Sequence, residues 1–189
     1  MELGLTPSQT IGPFFHSGLE WMPSAAGPGA RGEPIRLSVR VLDGDGAPVS
    51  DAMIESWQAD AEGRYHHPED PRGAEADPDF SGFARVPTND AGECEIETVR
   101  PGRVPGPGGP LQAPHVNVTI FARGVLKPLV TRAYFEGEPS NAEDPVLARV
   151  PEHRRDTLMA RPDPERHGVW RFEVRLCDGS GRETVFFDV

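Results

Sequence analysis

Proline and glycine interrupt this chain so often that no long helix can be threaded through it: there are 21 of each among 189 residues. Proline inside a helix removes a backbone hydrogen bond and clashes with the preceding turn, and glycine there loses extra backbone entropy. The stretches between interruptions are short, and several alternate with a period of two, which puts one set of side chains on a buried face. Ile35, Leu37, Val39 and Val41 share one face, with Arg36, Ser38 and Arg40 on the other. Near the end, Trp170, Phe172, Val174 and Leu176 oppose Arg171, Glu173 and Arg175. Met53–Asp60, Phe83–Pro87, Glu93–Val99, His115–Ala122, Leu129–Phe135 and Thr184–Val189 are the remaining expected strands. Only Asn141–Ala148 and Glu152–Ala160 read as short helices, and the loop at 101–110 reads as too rigid and polar for a strand. The expected fold is all-β, an antiparallel β-sandwich with an N-terminal arm and short helices.

The arm is residues 1–33. It carries Pro7, Gly12, Pro13, Pro23, Gly27, Pro28, Gly29 and Gly32 without a sustained period, yet it also holds Ile11, Phe14, Phe15, Leu19, Trp21 and Met22. Disordered tails are poor in such residues, so the arm is expected to be ordered by packing on something. Residues 34–189 are expected to form the sandwich.

Charge and cysteine content narrow the function. The formal net charge is −11, which argues against nucleic-acid phosphates as the partner. The two cysteines, Cys94 and Cys177, lack zinc-type spacing and read as buried reduced thiols. No signal peptide and no apolar run long enough for a membrane span stands out, so a soluble cytoplasmic chain is expected. The glycine run at 106–109 is flanked and broken by prolines, which have no N–H to donate to a phosphate.

The chemistry-bearing residues are few. Residues i and i+2 of a strand point the same way, so a His-x-His pair can grip one metal. Here Ala113-Pro114-His115-Val116-Asn117 offers His-x-Asn, and a carboxamide is a poor transition-metal ligand beside imidazole. This segment is either a metal site with parts removed or a strand that never held one. Tyr65, His66 and His67 stand in a row, but neighbours on an extended chain diverge, and both histidines read as ordinary loop residues.

Four segments carry a resemblance. They are Thr6-Pro7-Ser8-Gln9-Thr10-Ile11-Gly12-Pro13-Phe14, then Ile54-Glu55-Ser56-Trp57-Gln58-Ala59-Asp60-Ala61-Glu62-Gly63, then Ala113-Pro114-His115-Val116-Asn117, then Glu183-Thr184-Val185-Phe186-Phe187-Asp188. In this order, nearly end to end, they resemble the intradiol ring-cleaving dioxygenases, and within that family an alpha subunit that pairs with an iron-bearing beta subunit. The resemblance implies a β-sandwich and O₂-dependent cleavage of 3,4-dihydroxybenzoate between its hydroxyls. In the iron-bearing chain of this family two tyrosinates and two histidines hold Fe(III). Tyr65 matches the first tyrosine and His115 the first histidine, while Val104 falls where the second tyrosine belongs and Asn117 replaces the second histidine. The other tyrosine, Tyr134, lies in a different motif, Arg132-Ala133-Tyr134-Phe135, and no nearby tyrosine is expected to substitute.

The resemblance therefore implies that this chain binds no catalytic iron, that the Fe(III) belongs to a homologous beta subunit, and that the two assemble into a higher alpha–beta oligomer. Residues matching the alpha contribution to the shared substrate pocket are Thr10, Gly12, Pro13 and Arg123. Without the resemblance, Gly12-Pro13 is a turn and Arg123 a solvated strand end. Two other readings stay open on the sequence: a self-sufficient ring-cleaving enzyme with an atypical ligand set, and a non-enzymatic prealbumin-like binding module suggested by the turn pattern Val41-Leu42-Asp43-Gly44-Asp45-Gly46-Ala47-Pro48-Val49.

Overall fold

The computed structural model describes residues 5–106, 108–177, 179 and 181–188. Among the described residues ten strands run in chain order: β1 Pro34–Leu42, β2 Met53–Trp57, β3 Phe83–Pro87, β4 Glu93–Val99, β5 Val104–Pro105, β6 Leu111–Gln112, β7 His115–Phe121, β8 Leu129–Phe135, β9 Met159–Pro162 and β10 Val169–Arg175. Eight form one sheet in the order β3-β2-β7-β8-β9-β10-β1-β4, and β5 pairs with β6. The period-two stretches are where the strands lie. In β1, Ile35, Leu37, Val39 and Val41 point inward, and in β7 Val116, Val118 and Ile120 do so. Both sets enter one hydrophobic core with Ile54, Phe135 and Phe172, so the sheet curves around its own apolar face into a near-barrel.

The sheet is mixed rather than uniformly antiparallel. β1 runs parallel to β10, and β8 parallel to β9. A parallel neighbour needs a long crossover, and the segment 136–158 supplies the one from β8 to β9. β9 was not expected as a strand. It is four residues long, with Met159 and Ala160 on β8 and Arg161 and Pro162 on β10, and thus hands the sheet from one half to the other. Its short sequence has no alternation of its own to read.

Other local expectations also change. Asn141–Ala148 is not a helix but parts of two 3₁₀ turns, Pro139–Glu143 and Leu147–Arg149. Glu152–Ala160 is helical only through Leu158, as Glu152–Arg155 and then Asp156–Leu158. The 101–110 loop contains β5, whose Val104 pairs with Gln112. At the C-terminus the expected strand is reduced to one bridge, Phe187 to Val130. Its neighbours are held from the side, by Thr131 Oγ1 donating to the Val185 carbonyl at 2.8 Å; Val189 lies outside the described residues. Cys94 is buried as expected, but Cys177 is exposed; both are free.

The segment read as an arm divides. Met22 exchanges two backbone hydrogen bonds with Arg85 of β3, at 2.9 and 2.8 Å. Three residues on, Ala25 donates to the Glu97 carbonyl of β4, and Glu97 donates to the Pro23 carbonyl, both at 2.9 Å. β3 and β4 are the two edges of the sheet, so residues 22–25 stitch one edge to the other. Upstream, Phe15 is buried with its ring 6.0 Å from Trp21 at a T-shaped 82°, while Phe14 stays 81% exposed.

Candidate functional site: a tyrosine–histidine cluster and an arginine at the far strand end

Two loops bring Tyr65 and Val104 together. Asp60, almost wholly buried, accepts the N–H groups of Glu62 and Arg64 on one oxygen, both at 2.9 Å, and that of Asp77 on the other at 3.1 Å. Its carbonyl receives the Gly102 N–H at 2.8 Å, which joins the two loops. Gly63 makes the approach feasible. Its φ is +74°, and a Cβ there would lie 1.9 Å from the Arg103 carbonyl oxygen. Tyr65 then stacks on Trp57, with ring centroids 5.8 Å apart and planes 10° from parallel. A pocket of about 430 Å³ opens beside them, lined by Trp57, Tyr65, His67, Asp70, Arg72 and Val104.

Strand register adds the other residues. His115 faces Tyr134 across β7 and β8, and Asn117 faces Arg132. All four lie on the sheet face away from the main core, because Val116, Val118 and Ala133 take the inner face. The structure thus places Tyr134 next to His115, with rings 5.7 Å apart. Its hydroxyl is already engaged: it donates to Asp144 at 3.2 Å and accepts from Arg132 Nη1 at 3.4 Å. Asp144 is wholly buried and also accepts the N–H groups of Ala113, Val146 and Leu147, at 2.7, 2.9 and 2.7 Å. Gln112 and Asp144 were not singled out from the sequence, and Arg132 and Tyr134 were read only as part of a separate motif. The i, i+2 spacing of Arg132 and Tyr134 was a visible signal, but it points here only once the register of β8 against β7 is known.

These residues do not fit a ferric ion. Val104 has no donor atom. Asn117 spends Nδ2 on the Trp57 carbonyl at 3.2 Å. His115 alone of the four ligand positions keeps a ligand form: its Nδ1 carries the ring proton, because its partner at 2.8 Å is the Ala113 carbonyl, and Nε2 retains its lone pair. Burial, aided by the Arg132 charge, pushes His115 down to about 4, so the imidazole is neutral at physiological pH. Burial pushes the Tyr65 phenol up, opposed by Arg132 and Asn117, whereas metal ligation needs the tyrosinate. Among the described residues no group of three or more His, Cys, Asp and Glu side chains is placed to hold a metal ion. His66 and His67 turn to different partners, the Phe80 carbonyl at 3.1 Å and the Glu69 N–H at 3.2 Å.

The remaining candidates gather elsewhere. Thr10 Oγ1 accepts the Gly124 N–H at 2.8 Å and donates to the Ala122 carbonyl at 3.2 Å. This clamps the arm to the turn after β7, at the end of the strand opposite His115. Arg123 sits in that turn, past the last strand residue Phe121, with Nε paired to Asp51 and a side chain 63% exposed. Gly12 and Pro13 follow Thr10 and are exposed, and a Cβ at Gly12 would meet open space.

Comparison with known proteins matches this geometry to a lineage. A family model described as a dioxygenase matches residues 21–178, and the chain is 44% identical to the protocatechuate 3,4-dioxygenase alpha chain of Burkholderia cepacia over 97% of each. The chain belongs to the intradiol dioxygenase family. Another member, the protocatechuate 3,4-dioxygenase beta chain of the same organism, is 39% identical over 69% of this chain and 56% of that one. The intradiol fold extends to the dioxygenase domain of a carbohydrate-binding fusion from Streptomyces sp. SirexAA-E, with a TM-score of 0.65, 25% identity and coverage of 92% of this chain and 99% of that one. No helix among the described residues is long and apolar enough to cross a membrane.

Proposed function

We propose that this chain is the alpha, non-iron-binding subunit of a protocatechuate 3,4-dioxygenase, whose reaction uses O₂ to convert 3,4-dihydroxybenzoate to 3-carboxy-cis,cis-muconate. The observation that carries the reading is near-full-length similarity to an alpha chain, combined with a metal site in which Val104 and Asn117 stand at two ligand positions. Fe(III) belongs to the homologous beta subunit, where it activates the catechol for attack by O₂.

The chain's own contribution is binding and assembly. Arg123 meets the substrate carboxylate. With Nε on Asp51, its terminal nitrogens remain for a carboxylate, and a guanidinium stays charged and offers parallel N–H donors. Thr10, Gly12 and Pro13 line the same pocket, Thr10 by anchoring the arm on the Arg123 turn. Residues 5–19 of the arm dock on the beta subunit. Phe14, 81% exposed, and Leu126, 60% exposed in the connection after Arg123, give that end an apolar surface to cover. A paired sandwich assembling into higher alpha–beta oligomers in a reducing, cytoplasmic setting fits the two free thiols.

The test is co-expression with the iron-bearing homologue. Ring cleavage and tyrosinate–iron colour should need the homologue, and iron should stay at one equivalent per alpha–beta pair. Tightly held iron in this chain alone would overturn the reading and favour a self-sufficient enzyme.

A further inference from the structure

The vestigial site is not simply missing two ligands: a cation is built into it. Arg132 projects from β8 directly across from Asn117, on the face that carries His115 and Tyr134. Its Nη1 donates to Gln112 Oε1 at 2.6 Å and reaches the Tyr134 hydroxyl at 3.4 Å. Gln112 is the β6 partner of Val104, and its Nε2 donates to the Pro105 carbonyl at 3.3 Å. The guanidinium is therefore tethered to the ribbon bearing one lost ligand position, beside the strand bearing the other. Its direct hydrogen-bond partners here are a carboxamide and a phenol, both neutral, and the buried Asp144 carboxylate is reached only through the Tyr134 hydroxyl, so no carboxylate pairs with the guanidinium directly at this site.

We infer that the Arg132 guanidinium stands in the charge position of a metal ion, so that this site rejects iron even when its missing donors are restored. The inference rests on the reading that the iron belongs to the partner, and goes beyond it by naming what keeps this chain metal-free. Like charges repel, and a guanidinium fixed on the same sheet face disfavours a multivalent cation there more strongly than it would in bulk water. Such a charge must be removed before new donors can act.

The experiment counts iron in the assembled alpha–beta complex in excess of the wild-type complex. The double variant Val104→Tyr/Asn117→His should stay at the wild-type count. Adding Arg132→Gln should raise iron in the alpha position about tenfold or more and deepen the visible tyrosinate–iron band, whereas adding Arg132→Lys, which keeps the charge, should not. If the triple variant does not fold, Asn117→His with and without Arg132→Gln repeats the comparison on three donors. Iron gained by the double variant with Arg132 in place would overturn the inference, as would no gain on neutralising Arg132. Excess iron already present in the wild-type complex would instead overturn the functional reading.

Discussion

Replacing Arg123 by alanine separates substrate binding from folding, because the structure bounds both effects. It pairs with Asp51, and the arginine side chain is 63% exposed. Such pairs contribute about 0–1 kcal/mol, so folding should lose no more than that. A domain of this size shifts roughly 2–4 °C in Tm per kcal/mol, so melting should move by only a few degrees. A charge-assisted contact to the substrate carboxylate contributes about 1.5–3 kcal/mol, which converts to roughly 10- to 100-fold in KM at about 1.4 kcal/mol per decade. The assay is steady-state ring cleavage by the assembled complex, with 3,4-dihydroxybenzoate and with catechol, which lacks the carboxylate. KM should rise for the first and change little for the second. Arg123→Lys should fall between, keeping charge but losing the paired donors. Equal effects on both substrates, or none on either, would refute a carboxylate contact. A large loss of Tm would show that Arg123 serves the fold.

Gly63→Ala forces a Cβ into the Arg103 carbonyl at a φ of +74° and should cost about 2–5 kcal/mol in urea unfolding, with Trp57 fluorescence changing as the Tyr65 stack opens; wild-type stability would mean that the two loops part without penalty. His115 is held near 4 against an ordinary 6.5, so the unfolded chain binds its proton first as pH falls. The associated stability is complete above 6.5 and is lost on descent toward 4, by about 3 kcal/mol at most. His115→Gln should flatten the stability profile in that window, and an unchanged slope would contradict the buried neutral imidazole. Phe14→Glu, at a residue 81% exposed, should change folding stability by no more than about 0.5 kcal/mol yet weaken co-purification with the iron-bearing homologue; undiminished capture would remove Phe14 from the docking surface.

How much was legible from the sequence differs between fold and site for a physical reason. Alternation is a local signal, and it located β1, β3, β4, β8 and most of β7 and β10 within a residue or so. Pairing is not local. Nothing in Met159–Pro162 announces that it joins two sheet halves, nor does alternation reveal that β1 lies parallel to β10. The same gap hid half the site. Val104 and Asn117 were readable as absent ligands because they occupy motif positions. Arg132 and Tyr134 matter only through their register against β7, and Asp144 only through the crossover that carries its carboxylate to Ala113 and Tyr134.

The strip at residues 22–25 has a temporal consequence. It leaves the ribosome before either edge it will seal: Met22 waits for Arg85, and Ala25 for Glu97. Until then the two edges are not bridged through this strip, and an unsealed edge presents rows of unsatisfied N–H and carbonyl groups that invite foreign strands. Closure of a loop this long also has to overcome its entropy before any contact repays it. A nascent chain halted just past Glu97 would thus carry raw β edges and a loose N-terminal strip. In that interval the choice between sealing its own sheet and lending a strand to a neighbouring copy is still open.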